Sequence, residues 1–211
     1  MRADERWFAP WAALGVPHSA PLQQLHANLL GRYREPQRHY HTVQHLDECF
    51  ERWPEIRAHA AHPAEVELAL WFHDAIYDTH RSDNEALSAA LARDSALGLG
   101  VSPDSAQRLS DLILCTRHAV EPEGADAEAL IDVDLSILSA APARFDEYER
   151  QVRREYAWVP EETFRQRRAE ILGQFLARSH IYSTGLYRER YEPRARANLS
   201  RSLKTLGEPH G

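Results

Sequence analysis

Apolar positions recur at helical spacing along most of the chain, and capping residues separate the segments. After Ser19, the leucines Leu22, Leu25 and Leu29 lie on one stripe of a helix that we expect over 21–33. Thr42 is typical of an N-cap and predicts a helix that ends near Trp53, before Pro54. These patterns favour helices from the first part of the chain onward.

The remaining segments follow the same rule. Pro63 predicts the start of a helix whose apolar residues continue through Ile76, and the capping box Ser82–Glu85 predicts another that stops at Gly98 and Gly100. Further helices are predicted from Ser102-Pro103 to about Thr116, around Leu130 to Leu138, and over 142–157, 160–178 and 193–206. No segment alternates like a strand, so the sequence predicts one all-α domain.

Composition narrows the class of protein. The 211 residues are 43% hydrophobic and 27% charged, which is typical of a globular protein, and no apolar run reaches the length of a membrane span. The net charge of −7 argues against nonspecific nucleic-acid binding, which depends on a basic surface. We expect a cytoplasmic protein in which Cys49 and Cys115 are reduced.

The candidate chemistry lies in the run from Leu68 to Asp78, where His73 and Asp74 interrupt apolar residues. Burying an unpaired carboxylate is costly, and a bound metal ion would compensate that cost. His45 lies upstream and Asp134 downstream. Two imidazoles and two carboxylates suit a divalent metal used for hydrolysis better than a structural zinc, which favours thiolates.

This ordered set, with its flanking residues, resembles the HD-domain superfamily of metal-dependent phosphohydrolases, and in particular a group of predicted HD phosphohydrolases of about this length. The resemblance covers about residues 22–203. It is carried by the following segments: Arg38-His39-Tyr40-His41-Thr42 with His45, Trp71-Phe72-His73-Asp74-Ala75-Ile76-Tyr77-Asp78, Asn84-Glu85, Thr116-Arg117-His118, Asp132-Val133-Asp134-Leu135-Ser136-Ile137-Leu138, Arg153-Arg154-Glu155-Tyr156, Ile181-Tyr182 and Ala195-Arg196-Ala197-Asn198-Leu199.

The resemblance implies a single helical bundle of the HD type over 1–211, with a metal-site core at about 22–140 and C-terminal helices at about 142–206 packed on it. It implies the metal ligands His45, His73, Asp74 and Asp134. The ligand set does not choose among manganese, cobalt, iron, magnesium and nickel. The implied activity is hydrolysis of a small phosphorylated molecule, such as a nucleotide, and the resemblance implies no particular oligomeric state.

Further residues receive roles around this centre. Asp74 is the expected acceptor of the proton from the attacking water, and Asp78 is expected to orient a ligand or water, or else to cap the helix end. Tyr77 stands where HD enzymes that hydrolyse guanosine tetraphosphate have glutamate. The residues expected to bind substrate are Arg38, His41, Arg117, His118 and Arg153.

Asp132 competes with Asp134 as the last ligand. Two positions on a helix point about 200° apart, so both cannot face one metal. Asp134 shares a face with Leu130, Ile137 and Leu138, whereas Asp132 shares its face with Glu128 and Ser136, positions that suit solvent. The pattern favours Asp134 as the ligand.

Two alternatives stay open. In the first, His118, alone or together with His80, completes a second metal site for diester cleavage or oxygen chemistry. In the second, the protein is a non-catalytic regulatory module that binds a metal or a nucleotide.

Overall fold

The computed structural model describes residues 3–118 and 121–207, and all regular structure within these ranges is helical. The all-α fold class is therefore confirmed. The α-helices are α1 (Ala3–Ala13), α2 (Ala20–Arg32), α3 (Val43–Ile56), α4 (Pro63–Phe72), α5 (Asn84–Gly98), α6 (Pro103–Cys115), α7 (Ala125–Asp134), α8 (Pro142–Glu155), α9 (Glu161–Ala177) and α10 (Gly185–Gly207). Short 3₁₀ turns cover Arg57–His59 and Leu135–Ser139.

Three helices begin at the caps that the sequence predicts. The hydroxyl of Ser19 accepts the Leu22 N–H at 3.4 Å, and that of Thr42 accepts the Gln44 N–H at 3.3 Å. The Ser102 hydroxyl likewise accepts the N–H of Ser105, at 3.2 Å. Each bond satisfies a donor that the first helical turn leaves free.

Helix α4 ends earlier than predicted. The apolar pattern suggests a helix through Ile76, but α4 stops at Phe72. The carbonyls of the following turn bind Arg38 instead of continuing the helix: its guanidinium donates to Asp74 at 2.6 Å and to Ala75 at 3.1 Å. The N–H of Ile76 donates to the Ser88 hydroxyl at 3.0 Å, which ties the turn to α5.

Other boundaries also differ from the predictions. Pro54 lies inside α3, which continues to the buried Ile56, and α10 begins at Gly185 with Pro193 inside it. The predicted capping box at Ser82 does not form. Asp83 is the N-cap of α5 without a side-chain cap, and its carboxylate pairs with Arg81.

The chain divides into two compact units, Met1–Asp134 and Leu135–Gly211. In the first unit α4 is central, because most of its residues are buried and it contacts α1, α3, α5, α6 and α7. Helix α1, which the sequence analysis did not predict, contributes the fully buried Trp7 and Trp11. Trp7 stacks on the His26 ring at 4.9 Å between centroids.

The second unit contains the 3₁₀ turn Leu135–Ser139 and helices α8 to α10. Asn198 on α10 donates its amide to the carbonyls of Leu138 and Ala140, both at 2.9 Å. Among the described residues, no helix is long and apolar enough to cross a membrane.

Candidate metal centre

The four predicted ligands all belong to the first unit, and three different elements supply them. His45 lies in the first turn of α3, just after the Thr42 cap. His73 is the residue at which α4 ends, and Asp74 follows it in the turn. Asp134 is the last residue of α7. Helix ends therefore bring side chains that are distant in sequence to one place.

Their donor atoms converge. The Nε2 atoms of His45 and His73 lie 3.0 Å apart. Asp74 Oδ2 lies 3.0 Å from Nε2 of His73 and 3.6 Å from Nε2 of His45. Asp134 Oδ1 is 3.3 Å from Nε2 of His45 and 3.4 Å from Nε2 of His73. The carboxylate of Asp134 therefore faces both imidazoles; that it binds a metal stays a prediction.

These separations match those expected around one ion. Ligands held at about 2.1 Å are separated by about 3.0 Å at adjacent corners of an octahedron and by about 3.4 Å in a tetrahedron. Among the described residues, His45, His73 and Asp74 form one group whose donor atoms can share a metal ion. The residues present therefore fit a divalent metal.

A hydrogen bond sets the tautomer of His73. Nδ1 lies 2.9 Å from the carbonyl oxygen of Leu70, which can only accept, so Nδ1 carries the proton. In the neutral ring, Nε2 then presents a lone pair to the cluster. This arrangement is typical of metal-binding histidines, whose second nitrogen is held by an outer partner.

The electrostatics of the cluster favour a cation. Burial alone would lower the pKa of His73, but Asp74 and Asp134 outweigh it and the pKa is raised well above its usual value. Burial alone would raise the pKa values of the two carboxyls. His73 and His41 nevertheless lower the pKa of Asp74, while His118, His45 and His73 lower that of Asp134. A divalent ion would supply the positive charge that these buried carboxylates attract.

His118 lies at the centre itself. Its Nε2 is 3.2 Å from Oδ2 of Asp134, whereas the distances of 3.3 and 3.4 Å to His45 and His73 are those of Oδ1. Its backbone has a φ of 53°, a left-handed conformation that is uncommon for histidine. The sequence analysis expected His118 to bind substrate or a second metal ion. The structure shows that His118 also contacts the carboxylate of the proposed ligand Asp134.

His41 lies close to the same turn. Its ring stacks on that of Tyr77, with centroids 4.0 Å apart and planes 28° apart. It also lowers the pKa of Asp74. His41 therefore lies beside the turn that carries Asp74, which is compatible with the predicted contact to a substrate.

Arg38 is buried and donates hydrogen bonds to backbone carbonyls near the centre. Besides the carbonyls of Asp74 and Ala75, it donates to the carbonyl of His41 at 3.3 Å and to Glu35 at 3.1 Å. Its side chain has no exposed surface. These contacts fix the turn that carries Asp74, and they do not support the predicted role in substrate binding.

Asp78 does not cap the end of the predicted helix, because α4 already ends at Phe72; that alternative is wrong. Asp78 is in an exposed loop, where its carboxylate accepts the His80 N–H at 2.9 Å and lies 3.1 Å from His80 Nδ1. Asn84 binds its backbone. These contacts account for Asp78 as a turn residue.

The two remaining arginines differ in their surroundings. Arg117, next to His118, is exposed, with its Nε 3.9 Å from Glu85. Arg153 belongs to the second unit, where it donates to the carbonyls of Tyr156 and Val159 and pairs with Glu161 at 2.7 Å. Arg117 is thus a cation available to an anionic ligand, whereas the contacts of Arg153 stabilise the end of α8.

The sequence analysis expected Asp132 to face solvent, but the structure buries it. Its side chain is fully buried, and so are its neighbours from Ala129 to Val133. Glu128 is only partly exposed and Ser136, in the 3₁₀ turn, is buried. The prediction failed because α7 is covered on nearly all sides, so burial does not distinguish the two aspartates.

The sequence analysis did not place Cys49 beside His45. Its Sγ lies 3.8 Å from both ring nitrogens of His45, and His45, Cys49 and Asp134 form a second group whose donor atoms can share an ion. The spacing His45-x₃-Cys49 places both side chains on one face of α3, and that signal was present in the sequence.

The chain matches no family model, no curated protein and no solved structure.

Proposed function

We propose that the first unit holds a divalent metal through His45, His73, Asp74 and Asp134 and hydrolyses a small phosphorylated molecule. The observation that carries the proposal is the convergence of four donor atoms within 3.0–3.6 Å of one another in the pairs His–His and His–Asp. The resemblance of these motifs to HD-domain phosphohydrolases supports the same chemistry.

The donor set suits manganese, cobalt, iron, magnesium or nickel, since imidazole and carboxylate ligands serve all of these ions to different degrees. When bound, the metal supplies positive charge that acidifies water and offsets charge on the phosphoryl oxygens. The side chains of Asp74 and Asp134 keep 18% and 13% of their surface exposed, whereas the histidines are buried. The carboxylate side is therefore the one that water and substrate can reach.

The side chains around the metal site have separate roles in the proposed reaction. Asp74 accepts a proton from the attacking water while the water oxygen forms a bond to phosphorus. The bond between phosphorus and the leaving oxygen breaks at the same time. That proton passes to the leaving group. His118 holds Asp134 in place, while His41 and the exposed Arg117 provide positive charge for the phosphate.

A second candidate is a centre with two ions. The contact between His118 and Asp134 favours it, because a third imidazole at the carboxylate would extend the donor set. Such a centre would suit diester cleavage or oxygen chemistry. Measuring the number of ions bound per chain distinguishes the one-ion centre from the two-ion centre.

Phosphate release from a panel of nucleotides and phosphoesters, measured with the metal-loaded full chain, tests the proposed activity. Asp74→Asn removes the proton acceptor and a ligand charge, so we expect activity to fall at least about 100-fold. Asp78→Asn changes an exposed loop acid and should stay within about twofold of the original protein.

Two results would contradict the proposal. One is full activity of Asp74→Asn. The other is a metal-loaded protein that hydrolyses no member of the panel, which would favour a non-catalytic module.

A further inference from the structure

The imidazole of His41 lies beside the centre and is held by two aromatic neighbours. It stacks on the ring of Tyr77, with centroids 4.0 Å apart and planes 28° apart. The ring of Tyr40 packs against it nearly at a right angle, with 4.8 Å between centroids. The centroids of the His41 and His45 rings are 6.0 Å apart. The two tyrosines therefore fix the orientation of an imidazole next to a proposed ligand.

Tyr77 contacts a side chain that is itself constrained. The central guanidinium carbon of Arg38 lies 5.5 Å from the centroid of the Tyr77 ring, within the range of a cation–π contact. Arg38 has no exposed side-chain surface and donates to the carbonyls of His41 and Asp74. Tyr77 thus connects a fixed guanidinium to the imidazole of His41. Packing of this kind keeps a functional group within the narrow range of orientations that binding needs.

His41 is placed to contact a ligand of the metal centre. Among the described residues, the groups of donor atoms that can share an ion do not include His41. His41 is half-buried, and it is near enough to Asp74 to lower the pKa of that carboxyl. Asp74 belongs to the carboxylate side of the centre, which keeps some exposed surface. An imidazole carries at least one N–H donor in each of its protonation states, so His41 can donate a hydrogen bond there.

We propose that Tyr77 is a positioning residue, whose ring holds the imidazole of His41 so that an N–H of His41 donates to an oxygen of a metal-bound phosphate. A donor that is already fixed loses less conformational freedom on binding than a mobile one. The stacked ring of Tyr77 provides this effect, and its hydroxyl is not needed. The inference rests on the proposed function and assigns one part of its phosphate recognition.

Binding of inorganic phosphate to the manganese-loaded full chain provides the test. Bound manganese is paramagnetic and broadens the phosphorus-31 NMR signal of a phosphate held next to it, so the broadening gives a dissociation constant without any turnover. His41→Ala should weaken phosphate binding about tenfold, because it removes a hydrogen bond to a charged group. Tyr77→Leu removes the stacked ring and should weaken binding at least about threefold.

Two further variants serve as controls. Tyr77→Phe keeps the ring and should restore phosphate affinity to within about twofold of the original protein. Tyr156→Leu makes the same exchange at a half-buried tyrosine that contacts Phe164, and it should leave phosphate affinity unchanged. Manganese affinity, measured by calorimetry, should stay within about threefold in all variants, because none changes a proposed ligand. Tyr77→Met is a second variant without the ring, for use if Tyr77→Leu folds poorly.

A double-mutant cycle separates positioning from a general effect on the structure. If Tyr77 acts through His41, adding Tyr77→Leu to His41→Ala should change phosphate affinity by less than about 1.5-fold. A residue that only stabilises the fold would have the same effect with and without His41.

Four outcomes would overturn the inference. Unchanged phosphate affinity in Tyr77→Leu, or an equal loss in the presence and absence of His41, would show that Tyr77 does not position His41. A parallel loss of manganese affinity in Tyr77→Leu would assign it a structural role. These three results leave the proposed function in place. A manganese-loaded original protein that does not broaden the phosphate signal would contradict both the inference and the proposed function.

Discussion

At the scale of single residues, Asp134 and Asp132 provide a direct comparison, because they lie on one helix and both side chains are largely buried. Asp134 is directed at the two imidazoles, at 3.3 and 3.4 Å. Asp134→Asn should therefore lower manganese affinity more than about tenfold, measured by isothermal titration calorimetry. Asp132→Asn should leave the affinity within about threefold, although its burial means that thermal stability can fall.

The reverse result, with metal affinity lost in Asp132→Asn and kept in Asp134→Asn, would mean that Asp132 is the ligand. The melting temperature of each variant serves as the control, because it separates a loss of folded protein from a loss of ligand.

His118 supports a second prediction at this scale. Its contact with Asp134 Oδ2 leaves Oδ1 directed at the imidazoles, so it acts as an outer partner of a ligand. Removing such a partner typically costs about 10–100-fold in metal affinity. We expect a loss of this size in both His118→Ala and His118→Asn, measured by manganese titration.

Asparagine tolerates the left-handed backbone at this position, so a similar loss in both variants assigns the effect to the missing imidazole. Unchanged affinity in both would contradict the outer-partner role. A fall from two bound ions to one would instead support the two-metal alternative.

The sequence predicts some of these residue contacts better than others. His73 and Asp74 could be found because they are adjacent and interrupt an apolar run. The phase of α7 did not distinguish Asp134 from Asp132, because Asp132 is buried as well. The contact from His118 to Asp134 could not be found, because a loop separates them and only the folded chain brings them together. Cys49 was not placed beside His45 because a buried cysteine is ordinarily a core residue.

At the scale of elements, the end of α4 determines where His73 and Asp74 point. The apolar pattern continues to Ile76 and does not reveal this end. Arg38 stabilises this end by binding the carbonyls of the turn. Because Arg38 lies 36 positions before Asp74, no local pattern in the sequence shows the contact. The caps predicted at Ser19, Thr42 and Ser102 were confirmed, and in each the cap and its partner are neighbours in sequence. The equally local capping box at Ser82 did not form, because Asp83 is the N-cap of α5 instead.

Arg38→Ala should therefore destabilise the protein by about 3 kcal/mol, because it leaves buried carbonyl groups without a donor. Urea unfolding followed by circular dichroism measures this change. Arg34→Ala, at a nearby exposed arginine, is the control and should cost less than about 0.5 kcal/mol. Equal stabilities of the two variants would show that the turn does not depend on Arg38.

At the scale of the whole molecule, the all-α class follows from the repeated helical spacing and the absence of strand alternation in the sequence. The division into two compact units between Asp134 and Leu135 could not be predicted from the sequence, because no composition change or linker marks it. The single domain of the HD type stays a prediction. All four proposed ligands belong to one unit, so its packing alone defines the centre.

The central claim is that His45, His73, Asp74 and Asp134 bind one divalent ion, and metal stoichiometry tests it most directly. The full chain, treated with chelator and reloaded with manganese, should hold about one ion by elemental analysis after free metal is removed. His73→Ala, with its helical circular dichroism retained, should hold almost none. A protein that retains no metal, or a His73→Ala variant that retains as much as the original, would contradict the account.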